Sequence, residues 1–153
     1  MICAEIDDSR PEPTAYLIYD ADGGRLLADT LRALAVSGGE RLFGSSALGS
    51  VETCATPQWG KNRLIDAVIM TATETTTEDH YILISLTERT ELRIAADSRG
   101  LAVIQEVIER HLARGVADHD HLMAHSWGGW DLSDGPPPPG HTWIGMLTME
   151  FVP

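Results

Sequence analysis

The chain has 153 residues, 43% of them hydrophobic and 22% charged, with 23 acidic against 11 basic side chains and a formal net charge of −12. This length predicts one domain spanning residues 1–153, with a core that needs no cross-links. The acidic surplus argues against nucleic acid and anionic membrane surfaces as partners, because affinity for both comes from lysine and arginine. Basic proteins, cations and small molecules stay open.

No apolar run approaches the ~20 residues of a spanning helix. Met1–Asp8 has neither the basic start nor the apolar stretch of a secretory signal. The two cysteines, Cys3 and Cys54, read as reduced thiols of a cytoplasmic protein, not as a disulfide framework.

Glu5, Asp7, Asp8 and Glu12 read as a solvated acidic face. The first apolar run, Ala15–Asp20, predicts a strand punctuated by Asp22-Gly23-Gly24. Leu26, Leu27, Leu31, Leu34 and Ala35 recur at helical spacing and predict a helix over 25–37, stopped by Gly38-Gly39. Residues 40–62, rich in Gly and Ser, read as irregular, with one short strand near Val51.

Leu64–Thr73, His80–Thr87 and Glu91–Ala96 predict three strands, with turns at Thr75–Asp79 and Glu88–Thr90. Strands so closely spaced are expected to be antiparallel neighbours, since a parallel return needs a longer crossover. Asp97 or Ser98 caps a helix over 99–114 whose stripe is Leu101, Ile104, Val107, Ile108 and Leu112. Gly115 ends it. Asp118–Ser126 predicts a strand, Asp134–Gly140 a proline-rich loop in extended polyproline II form, and His141–Val152 a last strand.

Together these elements predict an α+β fold, a mainly antiparallel sheet of about five to six strands with two helices packed on one face. The 15–20 strand is expected at an edge or in a separate pairing. Both helices follow a strand through an Asp and a glycine-containing turn, from Leu17 to Leu26 and from Leu92 to Leu101, a hint of internal duplication.

The densest polar cluster is Asp118-His119-Asp120-His121-Leu122-Met123-Ala124-His125. On a strand, His119, His121, Met123 and His125 share one face. Two imidazoles so spaced can bind zinc if His80, His111 or His141 supplies a third ligand and Asp118 or Asp120 orients one. The plainer reading is an outer strand face that carries imidazoles, and no metal, cofactor or catalytic residue is assigned. No G-x-S-x-G elbow, P-loop or G-x-G-x-x-G occurs. A second cluster holds Trp127, Trp130 and Trp143 around Gly128-Gly129 and the proline run. Trp143 reads as core. Trp127, Trp130, Asp131 and Asp134 read as partner-binding residues, an aromatic and acidic surface suited to a basic protein.

From residue 91 to 152 the order is distinctive: Ala95-Ala96-Asp97, a helix opening Gly100-Leu101, then His119-Asp120-His121-Leu122, Leu132, and a last strand ending Leu147-Thr148-Met149-Glu150-Phe151. This resembles a family of small bacterial immunity proteins from polymorphic toxin loci, with a Gly-Leu helix start and an H-x-H-L strand. The resemblance implies a non-enzymatic inhibitor that binds a cognate toxin domain. The expected function is therefore an acidic binding protein that neutralises a toxin by direct binding. The alternatives are a small metal-dependent enzyme using His119–His125, or a small-molecule-binding domain.

Overall fold

The computed structural model describes residues 1–7, 13–44, 48, 63–74, 82–88, 90–123 and 139–153. In chain order the elements are β1 (Ile2–Asp7), β2 (Thr14–Tyr19), α1 (Ala21–Ser37), β3 (Glu40–Phe43), β4 (Arg63–Leu64), β5 (Ala67–Ala72), β6 (Ile82–Thr87), β7 (Glu91–Ala96), α2 (Ser98–Arg114), β8 (Asp118–Met123), β9 (His141–Trp143) and β10 (Met146–Phe151). No helix among the described residues is long and apolar enough to cross a membrane.

Both helices form for local reasons. Asp20 and Asp97, in extended conformation, accept hydrogen bonds from Gly23 N and Gly100 N at the helix starts. This satisfies amide groups that have no partner within the helix. Gly38 and Gly115 end them at φ +64° and +63°, a region open to glycine. Leu27, Leu31 and Leu34 on α1, and Leu101, Ile104, Val107 and Ile108 on α2, are buried. Leu26 and Ala35 instead face solvent, so the stripe of α1 is narrower than its spacing predicts.

The α+β class holds, but the single, mainly antiparallel sheet does not. Among the described residues there are two five-stranded sheets, in the orders β4-β1-β2-β10-β8 and β3-β5-β7-β6-β9. Each is mixed, because β2 pairs parallel with β10 and β7 pairs parallel with β5. The helices do not lie on one face. α1 leaves the first sheet and leads into the second, α2 leads back, and the two pack against each other. Residues from both sheets and both helices share one core, including Leu17, Leu31, Met70, Ile84, Ile94, Ile108 and Met149.

Five strand assignments change. The 141–152 run is not one strand: it breaks at Ile144-Gly145, so β9 joins the second sheet and β10 the first. Residues 63–72 break in the same way at Ile65-Asp66. β5 and β6 are not neighbours, since β7 lies between them. β2 is the centre of its sheet, flanked by β1 and β10, not an edge. β1 was read as a solvated acidic face, yet Ile2, Ala4 and Ile6 point into the core and Glu5 is buried.

Residues 40–62 contain β3 and a bridge from Leu48 to Ile2; Val51 lies outside the described residues. That bridge and the β1–β4 pairing anchor both ends of the 49–62 segment beside β1. Cys3, on β1, is disulfide-bonded, and the chain has one other cysteine, Cys54. The expectation of reduced thiols is thus overturned, because linear spacing does not reveal that the fold returns the chain to β1. The cytoplasmic reading loses that support, as such bonds persist chiefly in oxidising compartments.

The duplication hinted at by spacing is a property of the whole fold. β1-β2-α1-β3-β4-β5 repeats as β6-β7-α2-β8-β9-β10. The helices have 17 residues each. The two sheets have the same strand order under this exchange. The parallel registers agree too, with Met146 opposite Thr14 and Ala67 opposite Glu91. The sheet-switching bends are held by equivalent bonds, Ile65 N to Ala4 O and Ile144 N to Ile84 O, both 2.9 Å.

Candidate functional site

The equivalence of the two halves does not extend to every side chain. In the second half, the α2 stripe continues from Ile104 and Ile108 to His111, whose counterpart in α1 is Leu34. In the first sheet, β2 ends in Tyr19, whose counterpart in β7 is Ala96. Both side chains are fully buried, and the Tyr19 hydroxyl lies 2.8 Å from His111 Nδ1. Their rings stack at 5.9 Å, with Phe151 at 6.1 Å from Tyr19.

On its other side, His111 Nε2 lies 2.9 Å from Asp120 Oδ2 on β8, and Arg110 donates to the same oxygen at 2.7 Å. An ionised carboxylate only accepts, so Nε2–H donates to Asp120. In the neutral ring Nδ1 then accepts from Tyr19. The chain of bonds runs from the core to the half-exposed Asp120 and Arg110 with each buried polar atom satisfied.

The electrostatics follow from this placement. Burial, seconded by the Asp120 charge, pushes the Tyr19 hydroxyl well above its ordinary range, so it stays protonated as a donor. Burial works to raise the Asp120 carboxyl, but the hydrogen bonds from Arg110 and His111 outweigh it and hold the group below its ordinary value. Arg114 pairs with Asp118 one turn along, and Arg32 reaches across from α1 to Glu109 at 2.9 Å.

β8 lies at the end of its sheet and has β10 as its one strand neighbour among the described residues. His119 and His121 lie on its exposed side, their ring centroids 5.2 Å apart, and His121 Nδ1 is 3.0 Å from Thr148 Oγ1. The structure therefore brings His119 and His121 together, as alternation predicts. It separates the suggested third ligands: His111 is on the opposite side within the core, and His141 is in the second sheet, 3.2 Å from Ser85 Oγ. Among the described residues no group of three or more His, Cys, Asp or Glu is placed to hold a metal ion. His80 and His125 lie outside the described residues.

Trp127, Trp130, Asp131 and Asp134 also lie outside the described residues. Trp143, read as core, is half-buried on the outer side of β9, opposite Ser85. The Tyr19–His111 contact was missed by sequence reasoning. A signal for half of it existed, because His111 falls on the apolar stripe of α2 at the spacing of Ile104 and Ile108. Nothing local marks Tyr19 as its partner.

Fold and site together define a small α+β protein of two mixed sheets, internally duplicated, with a buried polar cluster built by both halves. Over residues 91–142, which take in β7, α2, β8 and most of β9, the chain matches the family model of immunity protein 32. The resemblance to immunity proteins drawn from Gly100-Leu101 and His119–Leu122 is borne out over that span. No curated protein and no solved structure matches the chain.

Proposed function

We propose that this chain is an immunity protein that neutralises a bacterial toxin by binding it directly, without catalysing a reaction. The observation that carries this reading is the family match over residues 91–142, which contains His111, Arg110 and Asp120 of the polar cluster. The net charge of −12 favours a basic partner, because opposite charge speeds encounter and selects against acidic competitors.

The contact surface we assign to the partner includes Trp127, Trp130, Asp131 and Asp134, a reading that rests on residue type. Tryptophan supplies desolvated contact area, and the aspartates supply steering charge. Trp130→Ala is expected to weaken binding by at least about 2 kcal/mol while the melting temperature holds. A variant that melts earlier but binds normally when folded removes Trp130 from the interface.

The function itself is tested by identifying a candidate toxin domain among the genes beside this one and expressing it in bacteria, with and without the chain. Protection that requires at least one chain per toxin, together with a purified complex, is the expected result. Protection at far lower ratios would indicate turnover, and no complex would overturn the reading.

A further inference from the structure

The surface between the two halves has the construction of an interface between two copies of one unit. The first half builds β4-β1-β2 of one sheet and sends β5 and β3 into the other; the second half builds β9-β6-β7 and sends β10 and β8 in return. Each sheet is thus completed by two strands of the opposite half, through the parallel ladders β2–β10 and β7–β5. The chain passes from one half to the other once, through residues 73–81.

That crossing has an equivalent that carries no covalent bond. Ala72 and Ile82 both sit opposite Ala96. In the other sheet, Phe151 and Ile2 both sit opposite Tyr19 in the same way. The flanking bonds also correspond, Thr73 N to Ala96 O and Val152 N to Tyr19 O, both 2.9 Å. One of the two equivalent seams therefore closes by hydrogen bonding and packing alone.

We propose that this interface is exchangeable and that its partner is a second copy of this chain. The first half of one molecule closes on the second half of another, giving a strand-exchanged dimer that reproduces every contact of the monomer. Across the interface run main-chain ladders, apolar side chains of the shared core, including Leu17, Ile94, Leu147 and Val68, and the ion pairs Arg32–Glu109 and Arg93–Glu40, so a second copy meets it with matched groups despite its like net charge. The polar cluster is also composite. Tyr19 comes from the first half and His111, Arg110 and Asp120 from the second, so in the exchanged dimer each cluster is completed by the other copy's Tyr19. The intramolecular arrangement wins at low protein concentration through its higher effective concentration, and the dimer gains as concentration rises. This inference is independent of the toxin-binding reading.

The test uses two full-length variants. Leu31→Asp disables the first half, and Ile108→Asp disables the second; both wild-type side chains are fully buried. The two chains are unfolded, mixed in equal amounts and refolded at high concentration and physiological salt, which screens the net charge. Each is also refolded alone. The expected product of the mixture is a folded species containing one copy of each chain. Proteolysis of that species should preserve the first half of the Ile108→Asp chain and the second half of the Leu31→Asp chain, identified by mass. A mixture containing no folded species with both chains overturns the proposal, whether or not either variant folds by itself.

Discussion

The Tyr19 hydroxyl and His111 Nδ1 lie 2.8 Å apart in the core, where the equivalent positions of the duplicated halves hold Ala96 and Leu34. The contact joins the first half to the second and continues through Asp120 to the surface.

Tyr19→Phe is expected to cost about 1–3 kcal/mol, because it leaves a buried ring nitrogen without its partner. Adding His111→Leu should recover much of that loss. Leucine already fills the equivalent site as Leu34, and replacing both members of a buried pair by apolar groups can be nearly neutral. Denaturant unfolding of the two single variants and the double variant measures the coupling.

Acid should weaken the fold through Asp120. Its folded value is depressed below the ordinary 3.8, so its contribution is fully present above that value. The contribution is lost as pH falls through the lower folded value. Asp20 adds in the same direction: burial acts to raise it, but its hydrogen bonds with the Met1 amino group and the Gly23 amide prevail. Asp120→Asn should flatten the acid limb of a stability–pH profile between pH 5 and the depressed range. An unaltered slope in that variant would mean that the Arg110 and His111 contacts do not persist in solution.

Gly23 is needed for space, not conformation. A Cβ there would meet the Met1 carbonyl oxygen at 1.9 Å, so Gly23→Ala must displace β1 or the start of α1. The expected loss is at least about 2 kcal/mol, as for other overpacked sites. At Gly38 a Cβ meets nothing within 4 Å, and only the positive φ opposes alanine. Gly38→Ala should therefore cost about 1–3 kcal/mol, through backbone strain alone. Thermal melts of the two variants give the comparison.

The unbonded seam predicts a circular permutant. Ile2 and Phe151 flank Tyr19 at two strand spacings, ~10 Å. A linker of about nine residues between Phe151 and Ile2, matching 73–81, should let the chain be opened between Glu74 and Ile82 with the fold retained. Circular dichroism and the melting temperature check this; an unfolded permutant would count against the equivalence of the halves.

Much of the local structure was legible in the order of residues, because its causes are local. The Asp97 cap, the glycines that follow each helix and the leucine and isoleucine stripes set α2 and the end of α1, whereas α1 starts at Ala21, four residues earlier than expected, because Asp20 caps it and Asp22-Gly23-Gly24 lie inside the helix. The alternation of Ile82, Ile84 and Leu86 set β6. β1 was legible too, since Ile2, Ala4 and Ile6 alternate with Cys3, Glu5 and Asp7, but the carboxylates drew attention to charge instead of period. The Gly-Leu helix start and the H-x-H-L strand pointed to the immunity-protein resemblance.

What only the tertiary structure decided is which strand meets which. The apolar pattern runs from Trp143 through Leu147 without marking that the chain changes sheets at Ile144-Gly145. Strand pairing is a contact between distant residues, and a strand carries the same alternation whichever sheet it joins. The same limit hid the Tyr19–His111–Asp120 chain, which joins β2 to the second half, and the pairing of Leu48 and Arg63–Leu64 with β1. Period, caps and composition act over a few residues and can be read in order, whereas the exchange of strands between halves is set by the packing of the shared core, which no short window contains.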